Sequence, residues 1–557
     1  MVLTIYDLSG IQDYVFASNR LREMVGASSI INKGLFQNIP KLLNQKPDDW
    51  MEKDFSFSDG DEKQIVYIGG GNALMAFNCQ DTSNEFTRDL QKLIFQQAGG
   101  ALKLCTASIP AGSNDTLPNT QKDLMDRLEE NKRVTPNVSA AKGFSINAYE
   151  NITYEPLLVF GGVYASRSVF LKNMEYLDIK EGNIDYFNGI QIEGIRYTDD
   201  FDKFIKDNSK NYLAVIHIDG NTMGKRIREF TQGLENECLQ EGLNALRMLS
   251  SEINRAYVHV LKETIKKLYG KRANECEEIN FRPIIMDGDD VTVICSAEDA
   301  FPFVEDFMVN LRNISRNESY KIISGFRLTA AAGMAFVNAG FPFYTAYDIA
   351  EQCCKNAKKV TLVEREVVNK SSMDYHVCYS GVTTDIADYR SKYYTFESGK
   401  PAGIEDADIS EKTGLSDKDP DIGKTTKYLL YNRPYIFSLE NDRYGYEFGF
   451  KAVCDNLIDI KDGQAKLKIA RSKLKGLRND YGKGPLAARV YGDFLKSRHK
   501  GEKDEYVAAL LSEPFSCDNG TYYAKFFDVL DVLDFIAPAE PEEVEPNVKD
   551  GDETAAN

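Results

Sequence analysis

YLAVIHIDGNTMGKRIREF, residues 212–230, reads as one strand, one turn and one helix. Residues 212–218 form a continuous apolar strand that ends at Asp219 and Gly220. A helix follows, with Met223, Ile227 and Phe230 at near-helical spacing. Further on, PIIMDGDDVTVIC (residues 283–295) reads as two apolar strands around a tight turn. The same order recurs, more loosely, at the start of the chain. In LTIYDLSGIQDYVF the strand at residues 3–6 ends at Asp7 and a glycine-containing turn, then enters an amphipathic segment. IVYIGGGNALMAF (residues 65–77) is the matching hairpin. Asn72 lies 65 residues after Asp7, and Asp290 lies 71 residues after Asp219. Nearly equal spacing of the same elements, twice, points to two copies of one domain.

The second copy continues with a strand, RLTAAAGMAFV, and a helix, YDIAEQCCKNAKK; in the first copy ALKLCTASIP is the matching strand. Strands alternating with long helices predict an α/β sandwich with helices on one sheet face.

The remaining composition narrows the function classes. The 557 residues are 43% hydrophobic and 27% charged, ordinary for a globular chain of several domains. The net charge of −18 argues against extensive direct DNA binding, which needs a basic face. It is compatible with a nucleotide escorted by magnesium, which brings its own positive charge. The ten cysteines form no C-x-x-C pair, so zinc ribbons and disulfide scaffolds are not expected. Four histidines, none followed by aspartate, leave no histidine-based metallohydrolase motif. No signal peptide or apolar membrane span is legible, and the expectation is a cytoplasmic chain that does not enter a membrane.

The candidate chemistry sits on the Asp287-Gly288-Asp289-Asp290 turn. Gly288 and one aspartate suit a hairpin tip, but a tip does not require three carboxylates, which repel unless a cation joins them. In a ferredoxin-like sheet the end of the first strand lies beside this hairpin, which brings Asp219 near Asp289 and Asp290. Such carboxylates, with Gly220 beside them, make an oxygen-only site suited to Mg²⁺ or Mn²⁺. Gly220 lets a nucleotide approach the backbone closely. Asn221, Thr222, Met223 and Gly224 open a helix whose free N–H groups favour phosphate, with Lys225 and Arg226 beyond. Lys358 ends a later helix, either to hold a triphosphate or simply to suit the helix dipole. The chemistry that uses this set is nucleotidyl transfer: a 3′-hydroxyl attacks an α-phosphorus, and pyrophosphate leaves. The first copy has Gly69-Gly70-Gly71-Asn72 where the second has its acids. It therefore reads as catalytically degenerate, its glycines either a place for a second nucleotide or a plain hairpin. The basic stretch from Lys466 to Arg478 is either a solvated helix face or a site for RNA or a protein partner.

These motifs, with GIQDYVFASNRLREMVGASSIIN, AAAGMAFVNAGFPFYTAYDIAEQCCKNAKK and YNRPYIFSLE, resemble the large subunit of type III CRISPR effector complexes. The resemblance implies an α+β chain of two ferredoxin-like palm domains, nucleotide-cyclase-like, plus a mostly helical C-terminal domain. The expected boundaries are 1–112 for the first palm and 113–205 for a mixed connecting domain. The second, catalytic palm takes 206–365, a polar connector 366–426, the helical domain 427–536 and an acidic, disordered tail 537–557. It also implies joining of ATP into 3′–5′ cyclic oligoadenylate messengers in antiviral defence, with metal on Asp219 and Asp289 or Asp290. Guide-RNA complex subunits and target RNA are the implied partners. No His-Asp nuclease motif and no cysteine-rich zinc element between the palms are seen. Two alternatives stay open: a nonenzymatic nucleotide-binding scaffold subunit, and a diguanylate-cyclase-like enzyme using GTP.

Overall fold

The computed structural model describes residues 1–112, 114–134, 148–151, 155–182, 190–198, 212–273, 278–314, 316–317, 319–363, 366–367, 370–379, 385–398, 426–437, 445–461, 464–498 and 511–536. The acidic tail at 537–557 lies outside them, as does most of the polar connector.

The first copy is built from β1 (Val2–Ser9), α1 (Ile11–Phe16), α2 (Leu21–Asn32), β2 (Lys63–Gly69), β3 (Asn72–Phe77), α3 (Gln80–Ala98), β4 (Lys103–Pro110) and α4 (Leu117–Val134). Its sheet has the antiparallel order β2-β3-β1-β4. The second copy comprises β5 (Tyr212–Gly220), α5 (Met223–Gln232), the long α6 (Leu239–Ala273), β6 (Phe281–Asp287), β7 (Asp290–Ser296), α7 (Ala300–Ile314), β8 (Ala330–Asn338) and α8 (Phe343–Val360). Its strands follow the same order, β6-β7-β5-β8, and the sheet continues into β9 (Ser372–Val377), parallel to β8, and β10 (Tyr435–Ile436).

The duplication extends to a defect in the ladder. In β2 the register slips between Ile65 and Tyr67, leaving Val66 unpaired opposite β3; in β6 it slips between Pro283 and Ile285, leaving Ile284. Val66 and Ile284 each stand three residues before the last paired residue of their strand, Gly69 and Asp287. A bulge twists a hairpin and re-aims its tip, so both tips are set by the same device. Each bulge is also braced by the other copy. Ser28 Oγ on α2 donates to the Ile284 carbonyl. Arg247 on α6 donates to the carbonyls of Ile65 and Val66, the latter at 3.2 Å.

Helices cover both faces of each sheet, not one as the strand–helix alternation implied. Side chains alternate along β1. Thr4 and Tyr6 face α3, where Thr4 Oγ1 lies 2.7 Å from Ser83 Oγ and Tyr6 packs on Phe86. Leu3 and Ile5 face the other way, into one core cluster with Leu124 and Leu128 of α4 and Leu243 and Leu246 of α6. In the second copy α7 lies on one face, where Phe301 stacks on Phe336, and α8 on the other, where Tyr347 meets His217. The helix after the fourth strand is the element that the local pattern does not place, because its apolar face alone does not say which side of the sheet it covers.

Small residues bring α8 close. A side chain on Gly333 of β8 would collide with the Ala350 carbonyl, whose carbon would be 3.0 Å away. Ala346, Ala350, Cys354 and Ala357 are buried along the facing side of α8. Asn19, just after α1, accepts from the first amide of α8, Phe343 N, at 3.0 Å.

The copies and β9–β10 form one compact unit, Met1–Thr395 with Asn432–Gly449; a second unit takes Phe396–Tyr431 and Phe450–Asn557. The second unit holds helices Arg471–Tyr481 and Pro485–Arg498, with Leu474, Leu477 and Tyr481 buried, and also a hairpin, Phe515–Asp518 with Thr521–Ala524. Its basic stretch is partly neutralised: Arg471 and Lys475 pair with Asp534, and Arg478 with Asp531. Among the described residues, no helix is long and apolar enough to cross a membrane.

Candidate functional site

Asp219 is the penultimate residue of β5, and its neighbour Ile218 pairs with Val291 of β7. One step further along that register, Asp219 stands beside Asp290. Asp289 folds over the next residue, Gly220. A side-chain carbon on Gly220 would come within 2.9 Å of both Asp289 Cβ and the Tyr257 hydroxyl. The glycine therefore makes room for Asp289 and Tyr257 rather than leaving open backbone for a nucleotide. Asp219, Gly220, Asp289 and Asp290 thus lie together at one end of the sheet, while Asp287 reaches toward the first palm's tip.

The electrostatics follow from this crowding. Burial, reinforced by Asp219, pushes the Asp289 carboxyl up to about 7. Burial and the neighbouring carboxylates Asp219, Asp287 and Asp289 hold Asp290 well above the ordinary range. Asp290 Oδ1 is buried and receives no hydrogen bond among the described residues. His217 Nδ1 is 3.3 Å from that oxygen but takes its hydrogen bond with Thr292 Oγ1, at 3.1 Å. Burial lowers His217 to about 4, so it is neutral near pH 7 and brings no cation. Tyr257 is likewise pushed up by burial, Asp289 and Asp219.

One cation does reach the site. Lys358, near the end of α8, donates to Asp219 Oδ2. As the side chains stand, no three metal-ligating groups among the described residues meet closely enough to hold an ion. The donor set nevertheless fits a hard cation: carboxylate oxygens only, one of them buried without a donor, with the Asp289 and Asp290 carboxyls raised by burial and by neighbouring carboxylates.

The helix-opening residues divide. Asn221 is buried and structural: its amide donates to the Thr329 carbonyl at 2.8 Å, and its side chain to Thr329 Oγ1 and the Lys370 carbonyl, each at 3.2 Å. Thr222 has φ of +56°, which turns the chain into α5, and Met223 is buried. Gly224 faces open space apart from Arg228, 3.8 Å from where a side chain would begin. Lys225 is exposed and lies 3.6 Å from Glu229. Gly288 abuts Gly70, and Gly71 faces Asp287; Gly69 packs near Ser250.

His217, Tyr257 and Tyr347 were not singled out from the sequence. His217 was findable: it lies two residues before Asp219 on a strand and so shares its face. Tyr257 sits mid-way along α6 with no local signal. Tyr347 stacks on Phe16 at 4.3 Å, tying α8 to the first copy.

A family model described as Cas10/Cmr2, second palm domain, matches residues 212–366. No curated protein matches the chain. Among solved structures, the chain is similar to a chain of the Csm1–Csm4 cassette in complex with cA3, at 13% identity over 96% of this chain and 70% of that one, with TM-score 0.53. The apo cassette and its complex with cA4 give the same identity and coverage, with TM-scores of 0.52 and 0.51. At this identity the likeness is one of fold. With its duplicated palm architecture and a Cas10/Cmr2 second palm at residues 212–366, the chain resembles the large subunit of type III CRISPR effector complexes.

Proposed function

We propose that this chain is a metal-dependent nucleotidyltransferase that joins ATP into cyclic 3′–5′ oligoadenylate-type messengers, as part of a type III CRISPR-like antiviral system. The observation that carries this reading is the meeting of Asp219 with the Asp289–Asp290 turn, opposite Lys358. Four carboxylates on and beside one tip, of which among the described residues only Asp219 pairs with a lysine, make poor structural material and good cation ligands.

Asp219, the Gly220 carbonyl and Asp289 or Asp290 would hold Mg²⁺ or Mn²⁺. Such ions, when bound, lower the pKa of the attacking 3′-hydroxyl and neutralise charge on the leaving pyrophosphate. The Gly224 amide at the start of α5 binds a phosphate oxygen, the next two amides, of Lys225 and Arg226, being held by the Thr222 carbonyl. Lys358, which pairs with Asp219, would supply positive charge to the triphosphate. Neutral His217 and Tyr257 wall the site and exclude water. The likeness to Csm1–Csm4 cassettes supports work as a subunit beside a partner chain.

Purified chain is incubated with labelled ATP or GTP and Mg²⁺ or Mn²⁺, alone and with candidate partner subunits and target RNA. Labelled oligonucleotide product that is lost in Asp289→Ala supports the proposal. No product under any of these conditions favours the nonenzymatic scaffold, and product from GTP alone favours the diguanylate-cyclase-like enzyme.

A further inference from the structure

The hairpin tips of the two palms touch. A side-chain carbon on Gly288 would lie 3.4 Å from the Gly70 amide nitrogen and 3.5 Å from its Cα. Asp287, one residue earlier, reaches across. Its Oδ2 is 3.0 Å from where a side chain on Gly71 would begin, and the amides of Gly70 and Gly71 both face the carboxylate. Gly70 and Gly71 have φ of +63° and +69°, a conformation open to glycine and costly for other residues. Successive turn amides pointing one way form a concave anion site. The first palm therefore carries such a site, and a carboxylate of the second palm fills it.

The surrounding space is small. The cavity lined by Leu8, Ile11, Gly71, Asn72, Asp287 and Gly288, among others, measures about 90 Å³. Sites for small organic ligands run to roughly 300–1,000 Å³, so nothing the size of a nucleotide enters while the tips stay in contact. Carboxylate and phosphate oxygens compete for the same N–H donors, and two anions at one nest repel.

We propose that Asp287 is a latch: its carboxylate occupies the Gly70–Gly71 anion site, and a phosphate-bearing ligand reaches the first palm only by displacing it. The identity of that ligand as a nucleoside triphosphate rests on the nucleotidyl-transfer reading; the latch itself does not. A glycine at position 287 would leave the nest open, so the aspartate sets how much ligand is needed to part the palms.

The test compares wild type with Asp287→Gly, Asp287→Ala and the near-isosteric Asp287→Asn, which keeps the shape of the tip should the smaller side chains disturb folding. Amide hydrogen exchange is read on the peptide spanning residues 65–77, without ligand or metal. Binding of a non-hydrolysable ATP analogue is then titrated. The latch predicts exchange about tenfold faster at the tip and half-saturation at about tenfold lower analogue in the Gly and Ala variants, with Asn between them and wild type. Asp289→Asn leaves exchange at residues 65–77 unchanged. Unaltered exchange in all three variants overturns the latch whatever the chain binds. Equal half-saturation, or no binding to any variant, overturns the competition. Faster exchange and tighter binding in a chain that forms no product would refute the transfer reading and leave the latch standing.

Discussion

Lys358 pairs with Asp219 in the second palm, and Lys132 pairs with Asp7 at 3.2 Å in the first. Each aspartate lies near the end of the first strand of its palm, Asp7 two residues before Ser9 and Asp219 one before Gly220. Each lysine stands two residues before the last residue of the helix that follows the fourth strand, Val360 and Val134. The strand-end pair thus occurs in both palms, while the second carries carboxylates on its hairpin tip where the first has glycines and Asn72. The tip, not the pair, separates an acidic palm from its partner.

Removing the two lysines should therefore have unequal effects. If Lys358 serves a triphosphate as proposed, Lys358→Ala is expected to cut kcat/KM about 10²–10³-fold, the range for losing one charge-stabilising donor. Lys132→Ala should change kcat/KM less than about tenfold. Steady-state kinetics of labelled ATP turnover read both.

Two glycines set the approach of neighbouring side chains and helices around the acidic tip. Gly220→Ala drives a methyl group into Asp289 and Tyr257, and Gly333→Ala pushes α8, with Lys358, off β8. Each should destabilise the fold by about 1–3 kcal/mol, the usual cost of overpacking. Gly220→Ala should also abolish product formation at temperatures where the protein remains folded. Thermal melts alongside activity assays separate the two effects.

Metal-free stability should depend on pH through Asp289. Its carboxyl is raised from 3.8 to about 7, chiefly by burial and then by Asp219. Below its unfolded value both states hold the proton and the contribution is complete. Between the unfolded and folded values only the folded state holds it, so stability falls as pH rises, by at most about 1.4 kcal/mol per pH unit. The contribution is gone above the folded value. Divalent ions prefer the ionised form, so their affinity should climb as pH rises toward 7. Melting temperatures across this range, in chelator and in Mg²⁺, should show opposite slopes for wild type and, in chelator, a shallower slope for Asp289→Asn, where Asp287 and Asp290 remain raised.

Arg247 braces the first palm's bulge from the second palm's long helix. Arg247→Met keeps the apolar stem but leaves the buried carbonyls of Ile65 and Val66 without this donor, at a cost of about 1–3 kcal/mol. Denaturant unfolding of the full chain measures it.

Much of this was legible in the chain. Two strand–helix–hairpin copies could be read from apolar runs ending at Asp7 and Asp219, because buried strands leave a period that local composition reveals. The approach of Asp219 to the Asp289–Asp290 tip followed from the strand order alone. Other features could not be read. Gly220 looks like a gap for ligand until Asp289 is seen filling it, and Asp287 looks like one more charge on a crowded tip until it is seen on Gly70 and Gly71. Both depend on contacts between residues distant in sequence, which no local pattern encodes. Helices on both sheet faces were missed for the same reason: α4 and α8 carry one apolar face each, and the choice of sheet side is tertiary.

Shared binding of a divalent cation by Asp219 and the Asp289–Asp290 tip is the central property proposed for this chain. Titrating metal-free protein with Mn²⁺ while following the free-ion paramagnetic resonance signal measures that directly. Wild type should take up Mn²⁺ at pH 7.5, with affinity at least about tenfold weaker in Asp219→Asn and in Asp289→Asn. Equal uptake by wild type and both variants would place the bound ion elsewhere and contradict the account.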